Sequence, residues 1–173
     1  AQTEKRIIPK SQQQAAEQRK TDKRLEEIQD SIDYAKAVQA LEDLEFVVEA
    51  DQLVFKRGQS AFVSSSTNFI SMHDDKTVVQ VAPFNGGGPN GVGGVTVEGR
   101  ASDIKLKTDK RGNTYFTMNV LGNGISAMVT ISMAKGSNRA SVTVNPNFNS
   151  NRITLNGILI PAEESRVFKG RAF

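Results

Sequence analysis

The feature that most restricts the fold is an alternation of apolar and polar residues with a period of two. It is clearest at 125–133, where mostly polar residues alternate with five apolar ones, Ile125, Ala127, Val129, Ile131 and Met133. Successive side chains of a β-strand point to opposite faces, so this segment predicts a strand with one buried and one largely solvated face. Strands of this kind are typical of antiparallel sheets.

Seven further segments show Val/Ile-rich runs or alternation, and turn residues such as Asp, Asn and Gly separate most of them. They are 46–56, 67–73, 76–83, 92–107, 113–121, 138–145 and 152–160. The sequence therefore predicts a mainly β domain of about eight antiparallel strands. A sheet of this size must bury its apolar face by closing into a barrel, packing as a sandwich or being covered by a helix, and the pattern leaves all three open.

The N-terminal quarter of the chain has a different pattern. Apolar residues recur there every three or four positions, at Leu25, Ile28, Ile32, Ala35, Val38 and Leu41. This spacing predicts one amphipathic helix over 25–45 that packs on the sheet. Residues 1–24 are polar, Gln-rich and basic, with too few apolar side chains to bury, and they predict a flexible arm. The expected organisation is thus arm, helix and a β domain over 46–173.

Composition excludes several classes of function. The chain has no Cys and a single His, His73, which excludes thiolate zinc sites and cysteine nucleophiles and leaves Ser-His-Asp chemistry almost without a base. Residues 25–165 hold 12 basic and 16 acidic residues, so the net charge of +3 comes from the two ends. Nucleic-acid binding by the domain is therefore not expected. No stretch is apolar enough to predict a membrane span, and we expect no cofactor.

Two loops stand out as candidate binding segments. Residues 84–94 (FNGGGPNGVGG) contain six glycines, and their match to a dinucleotide-binding spacing is accidental because a strand follows instead of a helix. Residues 145–152 are rich in Asn, whose amides suit a sugar or a peptide, and Phe148 offers a stacking surface. The candidate contacts to a ligand or partner are Asn85, Asn90, Asn147, Phe148, Asn149 and Arg152. The alternative is that both loops are only turns, because Gly and Asn tolerate left-handed backbone.

A pair of carboxylates is the only catalytic candidate. Glu49 and Asp51 are two residues apart on a predicted strand, which would place both on one face at a separation that glycoside hydrolysis permits. The pattern is unspecific, since two acids on a solvated strand face need no catalytic explanation. His73 stands beside Asp74 and Asp75 and predicts an exposed turn.

Three stretches resemble a known family. They are FVVEADQLVF, NFISMHDDKTVVQVAPFNGGGPNGVGGVTVEG and SNRASVTVNPNFNSNRITLNGILIPAEESRVFKG, in that order along the chain. The chain from about residue 35 to 173 resembles the Bacteroidetes proteins known as domain of unknown function 4251. That resemblance implies an exported protein whose precursor begins with a signal peptide, located in the periplasm or at the outer membrane and in some members lipid-anchored. The anchoring Cys is not in this sequence, and the family supplies no activity.

These observations lead to three functional hypotheses. The first is a non-enzymatic protein of the cell envelope that binds an envelope protein or a small ligand through loops at one end of the β domain. The second is a carrier whose barrel encloses a lipid or another small apolar molecule. The third is a hydrolase that uses Glu49 and Asp51.

Overall fold

The computed structural model describes residues 4–82, 95–124, 126–147 and 152–169. Over these residues the chain forms one long helix, nine strands and a short C-terminal helical segment. In chain order they are α1 (Lys10–Asp43), β1 (Glu45–Phe55), β2 (Ser60–Phe62), β3 (Phe69–His73), β4 (Lys76–Val81), β5 (Val95–Thr108), β6 (Thr114–Gly122), β7 (Ser126–Met133), β8 (Arg139–Pro146), β9 (Ile153–Pro161), a 3₁₀ turn (Ala162–Glu164) and α2 (Arg166–Lys169).

The sheet closes into an antiparallel barrel. Eight strands pair in the order β1-β3-β4-β5-β6-β7-β8-β9, and β9 pairs back with β1 from Phe46↔Pro161 to Phe55↔Ile153. The short strand β2 lies outside this ring and pairs only with the second half of β1. The prediction of about eight antiparallel strands behind an N-terminal helix is confirmed, and of the arrangements left open the barrel is the one observed.

The interior of the barrel is packed with the apolar side chains that the alternation predicted. Val129, Ile131 and Met133 of β7 point inwards and are at most 2% exposed. Phe46 and Phe116 meet edge to face with ring centroids 5.5 Å apart. Inward-facing side chains fill the interior of barrels of this strand number, and most of the buried apolar residues here form one cluster. Val47, Phe69 and Ala162 form a second, smaller one.

The last three turns of α1 cover one end of the barrel. Ala37, Ala40 and Leu41 are buried in the same cluster as the strand residues. The Tyr34 hydroxyl donates to the Gly112 carbonyl oxygen at 2.6 Å and also lies 2.8 Å from the Thr114 hydroxyl, at the β5–β6 turn. We call this the helix end of the barrel.

The rest of α1 differs from the sequence prediction in two ways. The helix begins at Lys10, directly after Pro9, so residues 10–24 are helical and not a flexible arm. The Gln, Ala, Lys, Arg and Glu residues of that segment are good helix formers, so it is helical in spite of its low hydrophobicity. The stripe Leu25, Ile28 and Ile32 is exposed and does not pack on the sheet. No helix within the described ranges is both long and apolar enough to cross a membrane.

Candidate functional site

The antiparallel topology places both predicted binding segments at the same end of the barrel. Strands β4, β6 and β8 run towards the end opposite α1, and β5, β7 and β9 start there. The connections at residues 82–94, 123–125 and 147–152 therefore all join strands at this end. We call it the loop end, and its described residues are the β1–β2 turn at 56–59 together with 64–68, 80–82, 122–124, 126, 147 and 152.

Two of the six predicted contact residues lie within the described part of the chain. Asn147 is exposed, and it is tied to the start of β7, because its backbone N–H donates to the Ser126 carbonyl oxygen at 2.9 Å and its side-chain amide to the Ser126 hydroxyl at 2.6 Å. Arg152 is exposed immediately before β9. The remaining four, Asn85, Asn90, Phe148 and Asn149, lie outside the described residues.

A buried asparagine that the sequence did not single out holds Ala82, the last described residue before the Gly-rich segment. Asn68 is 0% exposed, and its amide oxygen accepts the Ala82 N–H at 2.7 Å while its amide nitrogen donates to the Ala82 carbonyl oxygen at 3.1 Å. The same nitrogen donates to the Ser64 carbonyl oxygen at 3.0 Å. The Asn68 amide thus satisfies both backbone polar groups of Ala82, as a neighbouring strand would. Ala82 directly precedes residues 83–94. Nothing in the local sequence distinguishes this Asn from an ordinary turn residue.

The two carboxylates of the hydrolase hypothesis each have a structural partner. A register shift between Ala50 and Gln52 marks a bulge in β1, so the simple two-residue spacing assumed for Glu49 and Asp51 does not apply. The Arg139 guanidinium donates to both oxygens of Asp51 at 2.8 Å, and these hydrogen bonds lower the pKa of the Asp51 carboxyl. Glu49 accepts the hydroxyl of the buried Ser165 at 2.8 Å.

His73 lies at the last position of β3, at the helix end of the barrel. Its Nδ1 atom is 3.2 Å from a carboxylate oxygen of Glu45, and both side chains are about half exposed. The β3–β4 turn that follows is Asp74-Asp75. Among the described residues, no three or more His, Cys, Asp or Glu side chains are grouped so that they could hold a metal ion.

Comparison with solved structures found a close relative. The crystal structure of a DUF4251 family protein from Bacteroides eggerthii DSM 20697 is similar, with a TM-score of 0.76 and 50% sequence identity. The match covers 85% of this chain and 99% of that one. A search of curated proteins found no match.

The same family is found by sequence profile. The profile described as "Domain of unknown function (DUF4251)" matches residues 29–159, which span the end of α1 and all of the barrel up to β9. Because this range is well over half of the chain, and the similar crystal structure carries the same family description, the chain belongs to the DUF4251 family.

Proposed function

We propose that this protein is a non-enzymatic, exported protein of the cell envelope that binds a partner protein or a small ligand through the loop end of the barrel. The observation that carries the proposal is that the strands flanking the Gly-rich and Asn-rich segments end and begin at the same end of the barrel, opposite α1. Loops held on a rigid scaffold are the usual place for recognition in β proteins.

The surroundings of these loops support the proposal. Asn68 holds Ala82 on one side, and Asn147 is bonded to Ser126 on the other. Fixed loop stems lower the conformational entropy that a binding surface loses when it engages a partner. The barrel interior is occupied by packed side chains, which favours an external surface over an internal cavity as the place of binding.

The use of the charged side chains is in keeping with a non-enzymatic role. Asp51 is engaged by Arg139, and Glu49 accepts a hydrogen bond from the buried Ser165. A general acid or base needs a carboxyl group that is free to contact substrate. Export rests on the family resemblance, and the similar crystal structure is from a Bacteroides species.

The test is native mass spectrometry of the protein released gently from its source cells after fractionation. We expect the protein in the envelope fraction, carrying a bound mass that the Asn147→Ala/Arg152→Ala variant loses. The control is Lys107→Ala, which removes an exposed basic side chain near the helix end and should keep the bound mass.

The possible outcomes separate the hypotheses. A bound mass that both variants retain would refute binding at the loop end, and if it were a small apolar molecule it would favour the carrier. A protein found only in the cytosolic fraction would refute export. Hydrolysis of a glycoside panel that Asp51→Asn abolishes would refute the non-enzymatic role.

A further inference from the structure

Within the part of the chain that the structure describes, the first 24 residues of α1, Lys10–Asp33, extend beyond the barrel. All of them up to Ile32 are exposed, and at 1.5 Å per residue the segment is about 36 Å long. Three large apolar side chains on it are open to solvent: Leu25 is 60% exposed, Ile28 57% and Ile32 44%. Helices in proteins owe most of their stability to the packing of an apolar face, and the described residues leave this stripe exposed, which indicates a missing partner.

The stripe is accessible to another helix along the whole of α1. Each residue advances about 100° around a helix, so Leu41, nine residues after Ile32, points to the opposite side. Leu41 faces the barrel and is 1% exposed, whereas Ile32 faces away from it. A second helix could therefore lie along the stripe without meeting the barrel.

The spacing of the stripe is that of a short coiled-coil seam. Leu25, Ile28, Ile32 and Ala35 follow the alternating three- and four-residue spacing of the a and d positions of a heptad repeat. Continued towards the N-terminus, the same seam passes through Ser11, Gln14, Gln18 and Thr21, which carry no charge. Towards the C-terminus the seam continues through Gln39 and Glu42, so it carries one charged side chain, at its last position, and is apolar only near its middle.

The charges of the projecting segment are divided along its length. Residues 10–24 carry five basic and two acidic side chains, and residues 25–33 carry four acidic side chains and no basic one. In a parallel pair residues 10–24, with a net charge of +3, lie beside the same segment of the other copy. In an antiparallel pair in full overlap they lie opposite residues 29–43, which carry four acidic side chains and one basic one, a net charge of −3.

We propose that the occupant of this stripe is α1 of a second copy of the chain, and that the two helices pair antiparallel. Leu25 and Ile28 lie symmetrically about the midpoint of Lys10–Asp43. With the helices in full overlap, Leu25 of each copy therefore lies opposite Ile28 of the other, and Ile32 opposite Thr21. The contacts between Leu25 and Ile28 then lie at the centre of the pair, and Ile32 and Ala35 face Thr21 and Gln18 on either side of it.

This arrangement places the two barrels far apart. A barrel contacts α1 near Gln39, which lies opposite residue 14 of the second copy. The two barrels therefore lie about 37 Å apart along the helix axes, at opposite ends of the pair. The dimer would present two independent loop ends, which raises the avidity for a repetitive or multivalent target.

The first test is the mass of the full chain in solution. Sedimentation equilibrium over a series reaching about 1 mM should show the 18.8 kDa monomer converting to a dimer of twice that mass. Leu25→Gln/Ile28→Gln should weaken the association at least tenfold, and because Gln favours helix the loss cannot come from unfolding of α1. The control Lys23→Gln/Glu27→Gln changes the opposite face without changing the net charge, and should alter the dissociation constant less than about threefold.

The second test is the orientation of the helices. The chain has no Cys, so Gln12→Cys gives a single spin-label site, on the side of α1 away from the stripe. In the antiparallel dimer the two labels are about 44 Å apart along the axis, and in a parallel dimer they are roughly 10–20 Å apart. A monomer at every concentration, a dimer that the stripe variant leaves unchanged, or a short label distance would overturn the proposal.

Discussion

Replacing Gly157 by Ala should destabilise the barrel more than the same substitution at a glycine in a surface turn. Gly157 lies on β9 and pairs with Ala50 of β1, directly beside the bulge of that strand. A Cβ atom at this position would be 1.9 Å from the Glu49 carbonyl oxygen and 2.7 Å from the Ala50 Cα atom. Since tolerable contacts begin near 3.0 Å, the two backbones would have to separate by about 1 Å. Glycine is required here for close approach and not for turn geometry.

The expected cost follows from that separation. Moving β9 away from β1 by about 1 Å breaks one or two ladder hydrogen bonds, each contributing about 1 kcal/mol. The strain of the remaining misfit in a packed wall adds about 1–3 kcal/mol. The free energy of unfolding should therefore fall by about 2–5 kcal/mol, a large part of the 5–15 kcal/mol typical of a domain.

Urea unfolding followed by circular dichroism measures this difference, with Gly136→Ala as the control. Gly136 has a positive φ of 81°, and a Cβ atom added there would meet nothing within 4 Å, so its substitution introduces only left-handed backbone strain of about 1–2 kcal/mol. If Gly157→Ala loses no more stability than Gly136→Ala, the close approach of β9 to the β1 bulge is refuted.

Two further substitutions test side-chain interactions by the same unfolding measurement. Asn68→Asp keeps the shape of the side chain but removes the donor to the Ala82 carbonyl oxygen and buries a carboxylate. We expect the free energy of unfolding to fall by about 3 kcal/mol or more at pH 7. A fall below about 1 kcal/mol would contradict the hydrogen bonding of Asn68 to Ala82. Arg139→Met should cost at most about 1 kcal/mol at pH 7, because its pair with Asp51 is half exposed. Arg139 lowers the folded-state pKa of Asp51, so the stabilisation by this pair is complete above the ordinary value of 3.8 and disappears as the pH falls through the lower folded-state pKa. A difference in the free energy of unfolding between wild type and variant that persisted below that range would contradict this.

The strands could be predicted from the sequence because each carries its own periodic signal. All eight predicted segments correspond to strands of the barrel, and their ends differ by at most three residues, as for 92–107 against Val95–Thr108. The three-residue strand β2 was missed, because it is too short to show a period. Closure into a barrel was left open because it depends on the pairing of β1 with β9, about 100 residues apart, which no local pattern records.

The candidate site was less predictable for a related reason. The sequence identified two unusual loops, and antiparallel alternation places both at one end of the barrel once the strands are known. It did not identify Asn68, because the tertiary packing decides whether such an Asn is exposed in a turn or buried and hydrogen-bonded to a neighbouring strand. It also overlooked the β1 bulge, which invalidates the spacing argument for Glu49 and Asp51.

The helix shows how a correct periodicity can lead to a wrong packing partner. An apolar stripe indicates that a helix face avoids water, but it does not say what covers that face. In α1 two such faces follow one another on opposite sides: Tyr34, Ala37 and Leu41 meet the barrel, whereas Leu25, Ile28 and Ile32 turn away from it. Val38 fits the three- and four-residue spacing from Ile28 to Leu41, so the two faces merge in the sequence into one apparent stripe. The two faces can be told apart only when the position of the barrel relative to α1 is known. The face of Leu25, Ile28 and Ile32 then remains exposed and is available to another molecule.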